Sequence, residues 1–329
     1  MKVRIFTLLM MAITSIFMMN IANAADKAIK VDPELAKYKS APDISGTITS
    51  IGSDTMNNVM ALWLDEFAKH YPEVKHSMEG KGSGTAPPAL IAGTAQLGPM
   101  SRPMKPSEID SIEEKYGYKP TRLKTAMDAL AVFVHRDNPI KSLTLAQVDS
   151  IFSKTRKRKH TEVTTWGDLG LTENWADKPI QIYGRNSASG TYLYFKKSIL
   201  KKGDYKDTVK EQPGSATVVQ SVTEDQYAIG YSGMGYKTSG VRTVPISKET
   251  GADAYDAVAQ HVASGKYPIS RFLNVYILKH PNKELKPIMR EFVHYMFTQE
   301  GQMAVAKDGF ISLTKAQAAK ELDKVQAQK

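Results

Sequence analysis

Three times along the chain, a strand-like segment runs through a turn of glycine, serine and threonine into a segment with helical spacing. The turns lie at residues 52–55, 82–85 and 187–191. The first N–H groups of a helix have no partner within the helix, and the macrodipole makes that end positive. Small residues let an anion approach this backbone closely, and hydroxyl groups add donors. The repeated unit therefore predicts an α/β fold with anion-binding turns at the carboxyl ends of its strands.

The turns also have a purely structural explanation, because serine and threonine are among the preferred N-caps of helices. For a single turn this explanation is the stronger one. Three such turns after strands, with Arg185 just before the third, instead favour an anion site. Arginine carries a permanent charge and a fork of donors suited to bidentate contact with an oxyanion.

The first 24 residues have the layout of an export signal that is cleaved. Lys2 and Arg4 precede an apolar stretch over residues 5–19, and a small-x-small pattern ends at Ala24. The stretch is short for a membrane span, which needs about 17–25 apolar residues. We expect residues 1–24 to be a signal peptide and residues 25–45, which are polar and show little periodicity, to be a flexible N-terminal segment.

Charge and cysteine content narrow the possible partners and chemistry. Lys and Arg number 44 against 34 Asp and Glu, and there is no cysteine. The positive excess favours an anionic partner without identifying it. The absence of thiols rules out disulfides, cysteine nucleophiles and cysteine-based metal sites. No histidines stand at ligand spacing, and the chain lacks a P-loop and a hydrolase nucleophile elbow, so we expect no metal and no cofactor.

A strongly basic run, KTRKRKH, lies at residues 154–160. Such a run can attract nucleic acid or a membrane surface. This one has no interleaved aromatic residues, and a solvated loop explains it better. We therefore expect no nucleic-acid partner.

Two apolar runs, at residues 126–135 and 269–278, are typical of strands buried on both faces. They flank a block of the right size for a complete domain. We expect domain I to comprise residues 46–125 plus 270–329, and domain II residues 126–269. Within the helical segments, four aromatic residues at helical spacing are expected in the core: Trp63, Phe67, Tyr194 and Phe195.

The ordered set of motifs resembles the periplasmic phosphate-binding proteins of ABC transporters (PstS-type). The resemblance covers roughly residues 46–312, and its carriers are TSIGSDTM (49–56), EGKGSGTAPPALIAGTAQLGPMSRPM (79–104), YGRNSASGTY (183–192) and AIGYSGMGY (228–236). It implies a two-domain periplasmic binding protein fold (type II-like), with mixed sheets flanked by helices and two crossover strands forming the hinge. It also implies a periplasmic monomer, not an enzyme, that captures inorganic phosphate in the interdomain cleft and delivers it to a membrane permease.

The resemblance implies that residues in the three turns and in the segment after the third strand bind phosphate. The implied residues are Ser53, Asp54, Thr55, Ser83, Gly84, Thr85, Ser101, Arg102, Arg185, Ser189, Gly190 and Thr191. Members of the family often place an aspartate after the third strand, where it accepts the proton of a protonated phosphate and disfavours sulfate. Residues 98–102 contain no acid here. Asp54 is the candidate replacement, with a routine N-cap as its alternative role, and Arg102 is a candidate second cation.

Other functions remain open from the residues alone. An exported phosphatase or esterase would use Ser83 or Ser189 as its nucleophile, although no base can be placed beside either from sequence. A receptor for another oxyanion, such as sulfate or molybdate, would use the same donors. A surface adhesion or nucleic-acid-binding protein would use the basic loop, and its affinity would fall steeply with salt.

Overall fold

The structure, a computed structural model, describes residues 31–326. The expected signal peptide and residues 25–30 lie outside this range. The described part of the expected flexible segment is packed: Leu35 and Ile44 are buried, and the ring of Tyr38 meets that of Tyr295 edge to face at 5.1 Å. Isolated apolar side chains, which leave no periodic pattern, hold this segment to the body. Within residues 31–326, no helix has the length and apolar character to cross a membrane.

Strands and helices alternate along the described chain. The strands are β1 (Gly46–Ile51), β2 (Val74–Glu79), β3 (Gly98–Met100), β4 (Thr121–His135), β5 (Leu143–Thr144), β6 (Gln181–Arg185), β7 (Lys210–Gln212), β8 (Ala228–Gly233), β9 (Val241–Thr243), β10 (Ile246–Ser247), β11 (Ala254–Tyr255) and β12 (Ser270–Ile277). The α-helices are α1 (Asn57–His70), α2 (Ala86–Ala92), α3 (Pro106–Tyr116), α4 (Leu145–Phe152), α5 (Gly190–Ser198), α6 (Ser215–Glu224), α7 (Ala259–Ala263), α8 (Pro287–Met296), α9 (Gln299–Lys307) and α10 (Lys315–Leu322). Short 3-10 turns at Asp54–Met56 and Ser83–Thr85 precede α1 and α2.

The largest sheet is mixed, with the order β3-β12-β4-β8-β6-β7, and β9 also pairs with β4. Strands β12 and β8 are antiparallel to β4, whereas β6 is parallel to both β7 and β8. The mixed sheet and its flanking helices confirm the expected α/β fold class. Separately, β1 pairs in parallel with β2, and β5, β10 and β11 form a small third sheet.

Strand β4 changes partners halfway along its length. Residues 121–129 pair with β12, and residues 130–135 pair with β8 and β9. The expected buried strands at 126–135 and 269–278 correspond to β4 and β12, and β4 begins earlier than its apolar run. The change of partner carries the chain from one part of the sheet to the other.

The buried apolar side chains form two main clusters. The first core comes from residues 35–126 and 273–318, and includes Trp63 and Phe67; the second core comes from residues 129–269, and includes Phe195. Tyr194, expected in the core, is only partly buried against the second core. The boundary between the two cores falls along β4 and β12.

Candidate functional site

The first two predicted turns meet at the end of β3. The N–H of Ser53 donates to the carbonyl of Pro99 at 2.8 Å, which ties the turn after β1 to β3. Ser83 Oγ accepts from the N–H of Ser101 at 3.0 Å and lies 3.2 Å from Ser101 Oγ. Gly52 is required here, because a Cβ would come within 2.2 Å of the Pro99 carbonyl oxygen. Three loops on the side of the first core therefore gather around Ser53, Ser83 and Ser101, all of them buried.

The third turn is built on the side of the second core, between β6 and α5. Ser189 caps α5, and its Oγ accepts from the N–H groups of Thr191 at 3.1 Å and Tyr192 at 3.3 Å. The N-cap role considered for this serine is therefore real. Because α5 begins at Gly190, its positive end faces the first two turns.

Contacts join the third turn directly to the first two. Thr191 Oγ1 lies 2.8 Å from Thr55 Oγ1, and the N–H of Gly84 donates to the Ala188 carbonyl at 3.1 Å. A Cβ on Gly190 would come within 2.3 Å of Ser83 Oγ. All three turns that the sequence singled out thus meet in one place.

Arg185 is the buried cation of this cluster. Its Nη1 donates to Ser215 Oγ at 2.7 Å, and its Nη2 to the Pro213 carbonyl at 3.0 Å. Burial lowers the pKa of the guanidinium, and the nearby carboxylate of Asp54 opposes that shift. Nε of Arg185 is buried without a hydrogen-bond partner among the described residues, so the side chain still has a donor to offer.

Asp54 points across the site instead of capping its own helical turn. Its Oδ1 accepts from the N–H of Ser215, the first residue of α6, at 2.7 Å and lies 3.1 Å from Arg185 Nη1. Its main-chain carbonyl accepts from the hydroxyl of Tyr236 at 2.9 Å. A helix N-terminus and an arginine are both favourable neighbours for a carboxylate. Asp54 therefore accepts from the N-terminus of a helix that begins 161 residues later in the chain, instead of serving as a routine N-cap of its own turn.

Arg102 has a partner of its own. Its two terminal nitrogens donate to the carboxylate of Glu108 at 2.7 and 2.6 Å. Glu108 also accepts from the N–H of Lys105 and so closes the first turn of α3. This bidentate pair offsets the charge of Arg102, while its buried Nε has no hydrogen-bond partner among the described residues. The hydroxyl of Thr85 is likewise used locally, donating to the Gly82 carbonyl at 2.9 Å.

Two charged residues that none of the sequence motifs indicated also lie at the site. Arg271 on β12 and Asp128 on β4 are both buried, and Arg271 donates to Thr191 Oγ1 at 2.9 Å. Each is the single charge in one of the two apolar runs used to predict the crossover strands. A lone charge inside a buried strand needs a partner. Two such charges of opposite sign, one in each apolar run, therefore indicate that the two strands bring them together as an ion pair.

The assembled groups suit a small oxyanion better than catalysis. Hydroxyls, helix N-termini and the guanidinium groups of Arg185 and Arg271 all donate hydrogen bonds. The polar contacts described for Ser83 Oγ and Ser189 Oγ are with another serine and with backbone N–H groups, and none of these is a general base. In the part of the chain that the structure covers, no group of three or more His, Cys, Asp or Glu side chains is arranged to hold a metal ion.

Two cores linked by crossover strands, with anion donors gathered between them, define a solute-binding protein, not an enzyme. Residues 38–300 match the model of the PBP superfamily domain. The chain is 52% identical over 300 residues to the phosphate-binding protein PstS of Pseudomonas aeruginosa, which covers 91% of this chain and 93% of the relative. The chain therefore belongs to the PBP superfamily and, within it, to the PstS-type phosphate-binding proteins. Proteins of this type are periplasmic or extracellular components of ABC transporters.

More distant relatives agree with this assignment. The phosphate-binding protein PstS of Staphylococcus epidermidis is 29% identical over 285 residues, 85% of this chain and 83% of the relative. A Clostridium perfringens ABC transporter substrate-binding protein with bound phosphate has a TM-score of 0.69 at 24% identity, covering 82% of this chain and 100% of that structure. A phosphate transport receptor from Vibrio cholerae has a TM-score of 0.62 at 21% identity, covering 81% and 100%. At these identities the two solved structures support the fold alone.

Proposed function

We propose that this chain captures inorganic phosphate between its two cores and delivers it to the membrane permease of a phosphate ABC transporter. The observation that carries the proposal is the meeting of three donor-rich turns, with the buried Arg185 paired to Asp54 of the first turn. A phosphate oxyanion has four oxygens that accept hydrogen bonds, and this cluster supplies donors from several directions. The relative that is 52% identical is named as a phosphate-binding protein.

We assign the phosphate site to the turns that converge, without Arg102. The proposed residues are Ser53, Asp54, Thr55, Ser83, Gly84, Thr85, Ser101, Arg185, Ser189, Gly190 and Thr191. Backbone N–H groups at the start of α5 supply neutral donors, as do the serine and threonine hydroxyls other than that of Thr85, which donates to the Gly82 carbonyl. Arg185 supplies the positive charge, in a site from which water is excluded and charge-assisted hydrogen bonds are strong.

Asp54 is proposed to select phosphate against sulfate. Near neutral pH phosphate is partly monoprotonated and can donate a hydrogen bond, whereas sulfate has no proton to donate. Arg185 and the N–H of Ser215 both contact Oδ1 of Asp54 and fix the orientation of the carboxylate. The other oxygen, Oδ2, then accepts the phosphate proton and repels an anion that lacks one.

Phosphate release is proposed to involve separation of two domains, residues 46–125 plus 270–329 and residues 126–269. The separate cores and the change of partner along β4 support this division. Bending of the crossover strands would separate Thr55 from Thr191 and open the site, which is a hinge motion known from ligand-binding proteins. The contacts between the turns would then belong to the closed form.

The export signal at residues 1–24, the periplasmic location and the monomeric state are also part of the proposal. They rest on the layout of the first residues and on the family. Mass measurement of the exported protein would test the cleavage after Ala24, and light scattering of the purified protein would test the monomer.

The proposed function is tested by calorimetric titration of the mature protein at neutral pH. We expect phosphate to bind and sulfate and molybdate to bind far more weakly. Arg185→Ala should abolish most of the binding, whereas Arg290→Ala, which removes an exposed arginine on α8, should leave it unchanged. Absence of heat with phosphate would refute the proposal, and equal binding of sulfate or molybdate would favour a receptor for another oxyanion.

A further inference from the structure

The crossover strands carry a buried ion pair close to the proposed phosphate site. Arg271 on β12 stands directly opposite Asp128 on β4, and its Nε and Nη2 lie 3.0 and 2.8 Å from Asp128 Oδ2. The side chain of Arg271 is 3% exposed and that of Asp128 is fully buried. Burial raises the pKa of Asp128, and Arg271 opposes that shift. The pair therefore holds the guanidinium in one position.

The same guanidinium also contacts both sides of the site. Nη1 donates to the main-chain carbonyl of Ser101 at 2.9 Å, and Nη2 donates to Thr191 Oγ1 at 2.9 Å. Ser101 belongs to the loops of the first core, whereas Thr191 lies in the first turn of α5. One side chain on a crossover strand thus connects the two walls that we propose to enclose phosphate.

The hydrogen bond from Arg271 determines which hydroxyl protons of Thr191 and Thr55 remain free to be donated. A guanidinium donates hydrogen bonds and has no acceptor, so Thr191 Oγ1 must accept from it. Thr191 and Thr55, whose hydroxyl oxygens are 2.8 Å apart, share one of their two protons between them. Because neither proton can be donated to Arg271, the second one is left for a ligand. The hydroxyl pair therefore presents a donor, which is what an oxyanion requires.

We propose that Arg271 is a positioning residue of the phosphate site: it aligns Ser101 with Thr191 and orients the Thr191–Thr55 hydroxyl pair to donate to phosphate. Asp128 keeps Arg271 in place. This inference rests on the proposed function and adds a residue that acts through Thr191. The alternative is an ion pair that only stabilises the fold, which would contribute to unfolding free energy and not to phosphate affinity.

A double-mutant cycle between Arg271→Lys and Thr191→Val tests the proposal by calorimetric titration with inorganic phosphate. Lysine keeps the positive charge but places all its donors at one point, so it cannot replace the fork. We expect Arg271→Lys to weaken phosphate binding about tenfold in the wild-type background and less than threefold in the Thr191→Val background. Wild-type affinity of Arg271→Lys, or the same loss in both backgrounds, would overturn the proposal.

A matched control separates affinity from stability. Arg242 on β9 is a partly buried arginine that donates to the main-chain carbonyl of Asn138 at 2.8 Å. Arg242→Lys should lower the melting temperature and leave phosphate affinity unchanged.

If Arg271→Lys does not fold, the nearly isosteric Asp128→Asn replaces it. We expect this variant to lose phosphate affinity severalfold, and unchanged affinity would refute the positioning role. If the wild-type protein itself does not bind phosphate, the proposed function fails, independently of Arg271.

Discussion

Replacement of Gly190 by alanine tests whether the turns pack in the phosphate-bound protein as they do in this structure. Gly190 is the first residue of α5 and adopts an ordinary helical backbone, so the helix itself tolerates alanine. The added Cβ would lie 2.3 Å from Ser83 Oγ, 2.6 Å from Ser101 Oγ and 2.9 Å from Ser83 Cβ. Rotation of the two hydroxyls relieves the first two contacts but not the third. The α5 turn and the Ser83 turn must therefore move apart.

The size of the effect follows from this clash. Ordinary contact for a Cβ begins at 3.4 Å, so the contact with Ser83 Cβ that remains, at 2.9 Å, is short by about 0.5 Å. Overpacking of this kind costs roughly 1–3 kcal/mol in a well-packed site. At about 1.4 kcal/mol per factor of ten, phosphate affinity should fall roughly 5- to 150-fold. The ligand-free protein, with the turns apart, should lose little stability.

The assay is calorimetric titration with phosphate, together with thermal unfolding without ligand. Gly117→Ala is the control, because Gly117 ends α3 with a φ of +77° and has no atom within 4 Å of an added Cβ. It should lower the melting temperature through backbone strain and leave the phosphate dissociation constant unchanged. Wild-type phosphate affinity in Gly190→Ala would refute the close approach of the turns in the bound state.

Three further predictions concern charged groups. Arg185→Ala should weaken phosphate binding at least about 100-fold, because each charge-assisted hydrogen bond contributes about 1.5–3 kcal/mol; a titration that finds less than a tenfold loss would contradict its assignment. Asp54→Asn should change phosphate affinity less than sulfate affinity and so narrow the ratio of the two dissociation constants; an unchanged ratio would remove Asp54 as the selecting group. Burial raises the pKa of Asp308 to about 7. Because the folded protein then binds this proton more tightly than the unfolded chain, the free energy of unfolding should fall as pH rises from about 4 to about 7. Asp308→Asn should flatten that fall in urea unfolding at several pH values, and an equal slope in wild type and variant would show that Asp308 titrates normally.

Much of the local structure was predictable because it depends on neighbours in the chain. The apolar run at residues 126–135 lies within β4, and the run at residues 269–278 includes the whole of β12. Trp63 and Phe67, which were expected in the core from their helical spacing, are both buried on α1. Apolar periodicity, turn residues and caps act within a few residues of one another, so they can be read directly from sequence.

The basic loop at residues 154–160 makes contacts that local sequence patterns do not predict. Lys154 is paired with Asp207 at 2.8 Å, and Arg158 donates to the carbonyls of Ser198 and Ile199 at the end of α5. The loop is therefore partly a structural element that holds a helix end, which the run of charges in the sequence did not indicate. Its partners lie about 40–50 residues away along the chain.

Arg185, Arg102 and Arg271 show most clearly what the sequence determines and what the tertiary structure determines. The sequence alone placed Arg185 beside a turn predicted to bind an anion, because the turn and the arginine are neighbours in the chain. Only the tertiary structure shows that Glu108 offsets the charge of Arg102, and that the register of β12 on β4 brings Arg271 to Asp128 and Thr191. The choice of partner for a buried charge depends on which distant strands and helices pack together. Sequence therefore determined the turns that can bind an anion, whereas the fold determined which charges meet there.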